Sequence, residues 1–194
     1  MNISYPKKLL FEEIQKIEKI LSNIKNNYFK NFDKLCYACL DTIKKKKKII
    51  FYGNGGSASD AQHLAAELVV RYKKKKRKAI SAISLATDSS ILTATGNDLG
   101  FKFIFSRQIE AIAKKGDLAI AITTSGNSQN LIEAAKTLNK MGIKSYCFSG
   151  NNGGKLKNYI KYPILIPSSN TSGIQVIEIL IGQVLCEFLE ENIN

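Results

Sequence analysis

Apolar residues along the chain follow two rhythms. Between residues 7 and 46, Leu9, Leu10, Ile14, Ile17, Ile20 and Leu21 recur at helical spacing, and Phe32, Leu35, Cys36, Cys39, Leu40 and Ile43 repeat the pattern. Such spacing lines apolar side chains along one stripe of a helix, so two helices are predicted before residue 47. From residue 48 onward the rhythm changes. Five short apolar runs, at 48–52, 79–84, 117–123, 143–149 and 162–166, alternate with longer helical patterns near 57–72, 101–114, 128–140, 153–159 and 171–191. Short apolar strands separated by helices predict an α/β architecture, a five-stranded parallel sheet flanked by helices, with the N-terminal helical hairpin added to it.

Length and composition narrow this picture. At 194 residues and 44% hydrophobic, the chain fits one domain over residues 1–194, with helices to residue 46 and the α/β core from residue 47. No run reads as the ~18 consecutive apolar residues of a membrane span, and the first residues lack the apolar segment of a signal peptide, so a cytoplasmic protein is expected. Four scattered cysteines do not make a disulfide framework. Cys36 and Cys39 form a C-x-x-C, but both lie on the helical stripe with no second ligand pair, so they read as core. The hairpin needs more apolar cover than a small sheet offers, which predicts association with other subunits.

The net charge of +13 is concentrated in Lys44–Lys48 and in Lys73–Lys78, where Arg77 interrupts the lysines. Each run follows a helical pattern and precedes a strand. They are therefore expected to be solvated helix ends that steer anions, with nucleic acid not expected as a partner, since no recognition motif accompanies them.

Chemistry concentrates in two loops. The first strand runs into Gly53-Asn54-Gly55-Gly56-Ser57 and then a helix, and the third ends in Thr123-Thr124-Ser125-Gly126-Asn127-Ser128 before another. Glycines admit close backbone approach and helix N-termini present unpaired N–H groups, so both loops suit a phosphate. Neither is a Walker loop or a dinucleotide fingerprint. The helix after the first loop carries His63, the only histidine of the chain, and Glu67 four residues on. That spacing puts both on one helix face.

GNGGSASDAQHLAAEL, ATGNDLGFKFIFSRQIEA, TTSGNS and SGNNGGKL resemble, in that order and spacing, the sugar isomerase (SIS) domain of bacterial phosphoheptose isomerases over roughly residues 30 to 192. The resemblance implies a three-layer SIS fold that converts sedoheptulose 7-phosphate to D-glycero-D-manno-heptose 7-phosphate for surface polysaccharides. It also implies a homotetramer with active sites between subunits, and zinc. Carried over by motif, Asn54, Gly55, Gly56, Ser57, Asn97, Asp98 and Gln175 line the sugar-phosphate site, and Thr123, Thr124, Ser125 and Ser128 hold the phosphate. His63, Glu67, Gln175 and Gln183 fall at metal-site positions, with Glu67 also the base and substrate contact and Gln183 at the second catalytic position.

The last helix departs from that pattern. The family reads R-I-Q-E-x-H and a second histidine five residues later, whereas this chain reads Gly173-Ile174-Gln175-Val176-Ile177-Glu178, then Gln183. An amide donates a hydrogen bond but is no acid near neutrality. Lost acid–base catalysis would slow the reaction by ~10²–10⁴. Glu178 reads as a surface or salt-bridge residue, with partial compensation for the lost histidine as the other reading. Two further readings stand open: a non-catalytic SIS-fold binding protein similar to replication-initiator-associating proteins, which the retained Glu67 opposes, and an isomerase of another sugar phosphate.

Overall fold

A computed structural model describes residues 4–26 and 31–193, with Asn26 described by its backbone alone. The connection within the expected N-terminal hairpin, 27–30, lies outside the described residues. Two helices form where the periodicity predicts them, α1 (Tyr5–Asn26) and α2 (Phe32–Lys44). Helix α2 buries Leu35, Cys36, Cys39 and Leu40, so the C-x-x-C is core packing, and Cys147 and Cys186 are likewise free and buried. Helix α1 is different. It buries Ile20, but Leu9, Leu10, Phe11 and Ile14 stay exposed.

The rest is the expected alternation: β1 (Ile49–Gly53), α3 (Gly56–Val69), β2 (Ala82–Ser84), α4 (Ser89–Asp98), α5 (Ser106–Ile112), β3 (Leu118–Thr123), α6 (Gln129–Lys140), β4 (Lys144–Gly150), β5 (Tyr162–Ile166) and α7 (Thr171–Asn192). The five strands pair in the order β2-β1-β3-β4-β5, all parallel. Every residue of β1 and β3 is buried, as central strands covered on both faces require. Alternate side chains feed two cores. Phe51, Ile120, Ile122 and Phe148 pack with α2, α3 and α7, while Ile50, Tyr52, Ala119 and Ala121 pack with α5 and α6.

Four expectations need correction. The second strand was expected over 79–84, but only 82–84 pair with β1, at one edge of the sheet. The pattern at 101–114 splits into a 3-10 turn at 101–103 and α5. At 153–159 only a 3-10 turn at 156–158 forms, because Gly153 and Gly154 take positive φ that an α-helix cannot use. Helix α7 does have the length and hydropathy of a membrane span, contrary to the reading of the sequence. Half of that stretch is buried, and it packs on α3, α2 and the sheet, so it serves as a core helix.

Candidate active site

In this strand order the chain moves outward from β1 in both directions, to β2 on one side and to β3 on the other. The crevice beyond the carboxyl ends of β1 and β3 is the topological switch point, where open α/β sheets bind ligands. Both expected loops sit there. Gly55 takes φ +55°, a left-handed conformation natural to glycine. That turn starts α3 with no side-chain cap, so its first N–H groups face outward.

The two loops are fastened to each other. Asn54 and Asn130 exchange side-chain amide hydrogen bonds of 2.9 and 2.8 Å. Asn54 is thus a brace at least as much as a ligand-facing group, and Asn130, buried in the first turn of α6, is a structural partner the motif did not reveal. Thr123 Oγ1 accepts from the Gly126 N–H and Ser125 Oγ from the Asn127 N–H, which closes the hydroxyl-rich loop on itself. Ser128 begins α6 without using its hydroxyl as a cap. The SGNNGGKL loop supports this one from behind: Lys155 N–H donates to Asn127 Oδ1 and Leu156 N–H to Gly126 O. Backbone meets backbone there, and a Cβ on Gly126 would collide with Gly153.

On α3, His63 Nε2 lies 3.0 Å from Glu67 Oε1, with side chains 45% and 22% exposed, so the pair opens to solvent. Gln175, in the first turns of α7, is brought to the glycine loop: a Cβ on Gly56 would strike its amide nitrogen. Gln183 lies two turns further along α7 and is partly exposed. Among the described residues no hydrogen bond ties the side chain of Asn97 or Asp98 to either loop. They end α4, both exposed, with the Asn97 amide donating to Asp98 Oδ1 at 2.8 Å.

Among the described residues no group of three or more His, Cys, Asp or Glu converges on one point. One imidazole, one carboxylate and two amides fall short of the three strong ligands of a catalytic zinc. Within one chain this donor set makes at most a weak zinc site.

Glu178 is the residue that sequence reasoning misplaced. It is 0% exposed, held in the core between α7, α3 and the end of β3. Its Oε2 lies 3.4 Å from Ser57 Oγ, and its Oε1 is buried with no hydrogen-bond partner. Burial, and then the nearby Asp60 carboxylate, push its pKa up to about 8, with Ser57 and the Thr123 backbone offsetting this only in part. Asp60 is itself raised by burial, which the adjacent His63 partly counters.

A family model described as the SIS domain matches residues 14–150. The phosphoheptose isomerase of Aquifex aeolicus is 53% identical over 135 residues, 70% of each chain. That of a Nitratiruptor species is 42% identical over 186 residues, 92% of this chain and 99% of its own. The chain belongs to the phosphoheptose isomerase family of SIS-domain proteins. The solved phosphoheptose isomerase of Neisseria gonorrhoeae superposes with a TM-score of 0.89 at 31% identity, over 95% of this chain and 98% of the other. As in the other phosphoheptose isomerases, the fold is therefore the three-layer SIS architecture that the motifs implied.

Proposed function

We propose that this protein is a sugar-phosphate aldose–ketose isomerase that converts sedoheptulose 7-phosphate to D-glycero-D-manno-heptose 7-phosphate. The observation that carries the proposal is the junction at the switch point. Two helix N-termini, each behind a small-residue loop, are locked together by Asn54 and Asn130, and the last turn of α3 carries a part-exposed carboxylate, Glu67. Family membership supplies the substrate class.

In this reading the first-turn N–H groups of α3 and α6, with the hydroxyls of Thr123, Thr124, Ser125 and Ser128, receive the phosphate. Glu67 removes a proton from C1 of the ketose. The C1 hydroxyl proton passes through water to the C2 oxygen as the enediol forms and collapses, and the proton held by Glu67 returns to C2, which leaves the aldehyde at C1. His63 holds the Glu67 carboxylate from one turn away and fixes its orientation. The amides of Gln175 and Gln183 donate to oxygens that gain charge in the enediol, which is electrostatic stabilisation without proton transfer. No step is routed through zinc. Its place in the proposal is as a weakly held occupant of His63, Glu67, Gln175 and Gln183, and metal content after purification without chelators tests it.

The homotetramer belongs to the same proposal. Exposed Leu9, Leu10, Phe11 and Ile14 on α1, and Val176, Leu180 and Val184 along α7, are the apolar faces a second copy would cover. Asn97 and Asp98, exposed at the end of α4, are suited to a site shared between subunits. A cytoplasmic place in heptose supply for surface polysaccharides completes the proposal.

Sedoheptulose 7-phosphate incubated with purified protein is expected to yield the aldose phosphate, and Glu67→Gln to lower kcat by ~10²–10⁴. No product at high enzyme concentration, or full activity in Glu67→Gln, overturns the reading. Product from a pentose or hexose phosphate instead moves it to another sugar.

A further inference from the structure

Glu178 performs none of the steps above, yet it touches the residues that do. It is fully buried, its Oε2 faces the Ser57 hydroxyl, and Ser57, 4% exposed, stands in the first turn of α3 at the floor of the substrate loops. Among the described residues no cation answers it: the groups facing it are Asp60 from α3, Cys147 from β4 and the backbone at Thr123 from β3. A carboxylate so placed has neither countercharge nor enough donors, and its second oxygen has no partner at all.

A hydroxyl has one proton to give. Next to a carboxylate, Ser57 must donate to Glu178 and can offer a ligand only lone pairs, which repel the oxygens of a sugar phosphate. Beside a neutral carboxyl the chain reverses: Glu178 donates to Ser57 Oγ, and the Ser57 proton is free to point outward. We propose that Glu178 is a positioning residue that keeps its proton in the resting enzyme, donates it in a hydrogen bond to Ser57 Oγ, and thereby turns the Ser57 hydroxyl into a donor toward a substrate oxygen. The identity of that substrate rests on the isomerase reading.

The Cys147 thiol, pushed up to about 12 by burial, stays neutral through the working range, and the Asp60 charge holds the Glu178 proton in place. Only the neutral form is competent, so apparent affinity falls with its fraction. Between pH 7 and pH 9, KM for sedoheptulose 7-phosphate is expected to rise about tenfold in wild type, with kcat little changed. Glu178→Leu should raise KM by ~10–100-fold at pH 7, the worth of a hydrogen bond to a charged group. Glu178→Gln, whose amide still donates, should restore KM and abolish its pH dependence. In difference infrared spectra, a carboxylic C=O band should be present in wild type at pH 7, absent from Glu178→Gln and lost at high pH.

Absence of that band at pH 6, a KM that ignores pH in wild type, or a Glu178→Gln that shares the Glu178→Leu defect overturns the proposal. A wild type that binds the ketose phosphate without turning it over overturns only the isomerase reading. Calorimetric Kd then replaces KM in the same series of variants. Failure to bind it overturns both.

Discussion

Two buried glutamates stand on α7, twelve residues apart, and they answer burial in opposite ways. Glu178 is 0% exposed and Glu190 is 2% exposed. Glu190 accepts from the backbone N–H groups of Tyr72, Lys73 and Lys74 and from Arg77 Nε at 2.9 Å, and these donors bring its pKa down to about 2 against the upward push of burial. Glu178 has one long contact with a hydroxyl, and its pKa stands at about 8. Desolvation is common to both, so the donors aimed at Glu190 and the Asp60 carboxylate near Glu178 set the two apart. One end of α7 is thus an electrostatic anchor, and the other holds a proton beside the substrate loops.

The anchor also reaches the site. Arg77 donates to the carbonyls of Glu67 and Leu68 at the end of α3 while it holds Glu190, so the helix that carries His63 and Glu67 is tied at its last turn to α7. Removing the guanidinium should produce the largest effect. Arg77→Met leaves a buried carboxylate short of its cation and strips two helix-end carbonyls of their donor, which is expected to cost about 3–5 kcal/mol in urea unfolding. Arg77→Lys should recover little of this, because one ammonium cannot reproduce the fork that spans Glu190 and α3. A loss below 1 kcal/mol would mean that the three backbone N–H groups alone hold Glu190.

Lys73–Lys78 shows what a sequence hides. As a run of like charges it reads as a solvated helix end, but α3 stops at Val69 and the run is a loop wrapped around Glu190, with Arg77 buried. The partner lies 113 positions away, and no local pattern distinguishes Arg77 from the lysines beside it. Glu178 was hidden in the same way. Its place on a helix gave a surface or salt-bridge reading, and the scarcity of donors around it, the Ser57 hydroxyl and the Thr123 backbone, is a property of packing. The glycine and hydroxyl loops were legible because their residue types answer a backbone requirement, as at Gly55. Helix α4 went unread because it is barely amphipathic: Thr95 is its one buried residue, and its start depends on the Asp88 cap of Ile91 N–H.

The second test uses acid. Glu190 is held below its ordinary range, so the folded state binds fewer protons than the unfolded state as pH falls from about 4.5 toward about 2. Its contribution is complete above the first value and is lost progressively toward the second. Wild type should therefore lose on the order of 2–3 kcal/mol more than Glu190→Gln across that window, read as the slope of unfolding free energy against pH. Parallel slopes would remove Glu190 from the account of acid stability and leave Asp117, held low by hydrogen bonds from Lys48 and Lys114, as the next group to examine.

The smallest effect has the opposite sign, which makes it the sharpest test of the contrast. Glu178 must take up a proton to fold once the pH exceeds the ordinary glutamate range of about 4.5, because its folded value is about 8. From pH 5 to pH 8 the unfolded state has already lost that proton and the folded state has not, so stability falls as pH rises, and the loss levels off above about 8. Glu178→Gln has no such proton to recover. Its amide leaves one polar atom poorly matched in the apolar pocket, a cost that lowers its whole curve without changing its slope with pH. Relative to wild type, the variant should gain on the order of 1–2 kcal/mol between pH 6.5 and pH 8, measured by urea unfolding at each pH. Wild type and variant curves that stay parallel through this window would place a charge on Glu178 in the folded protein, and the two ends of α7 would then differ in donors but not in protonation.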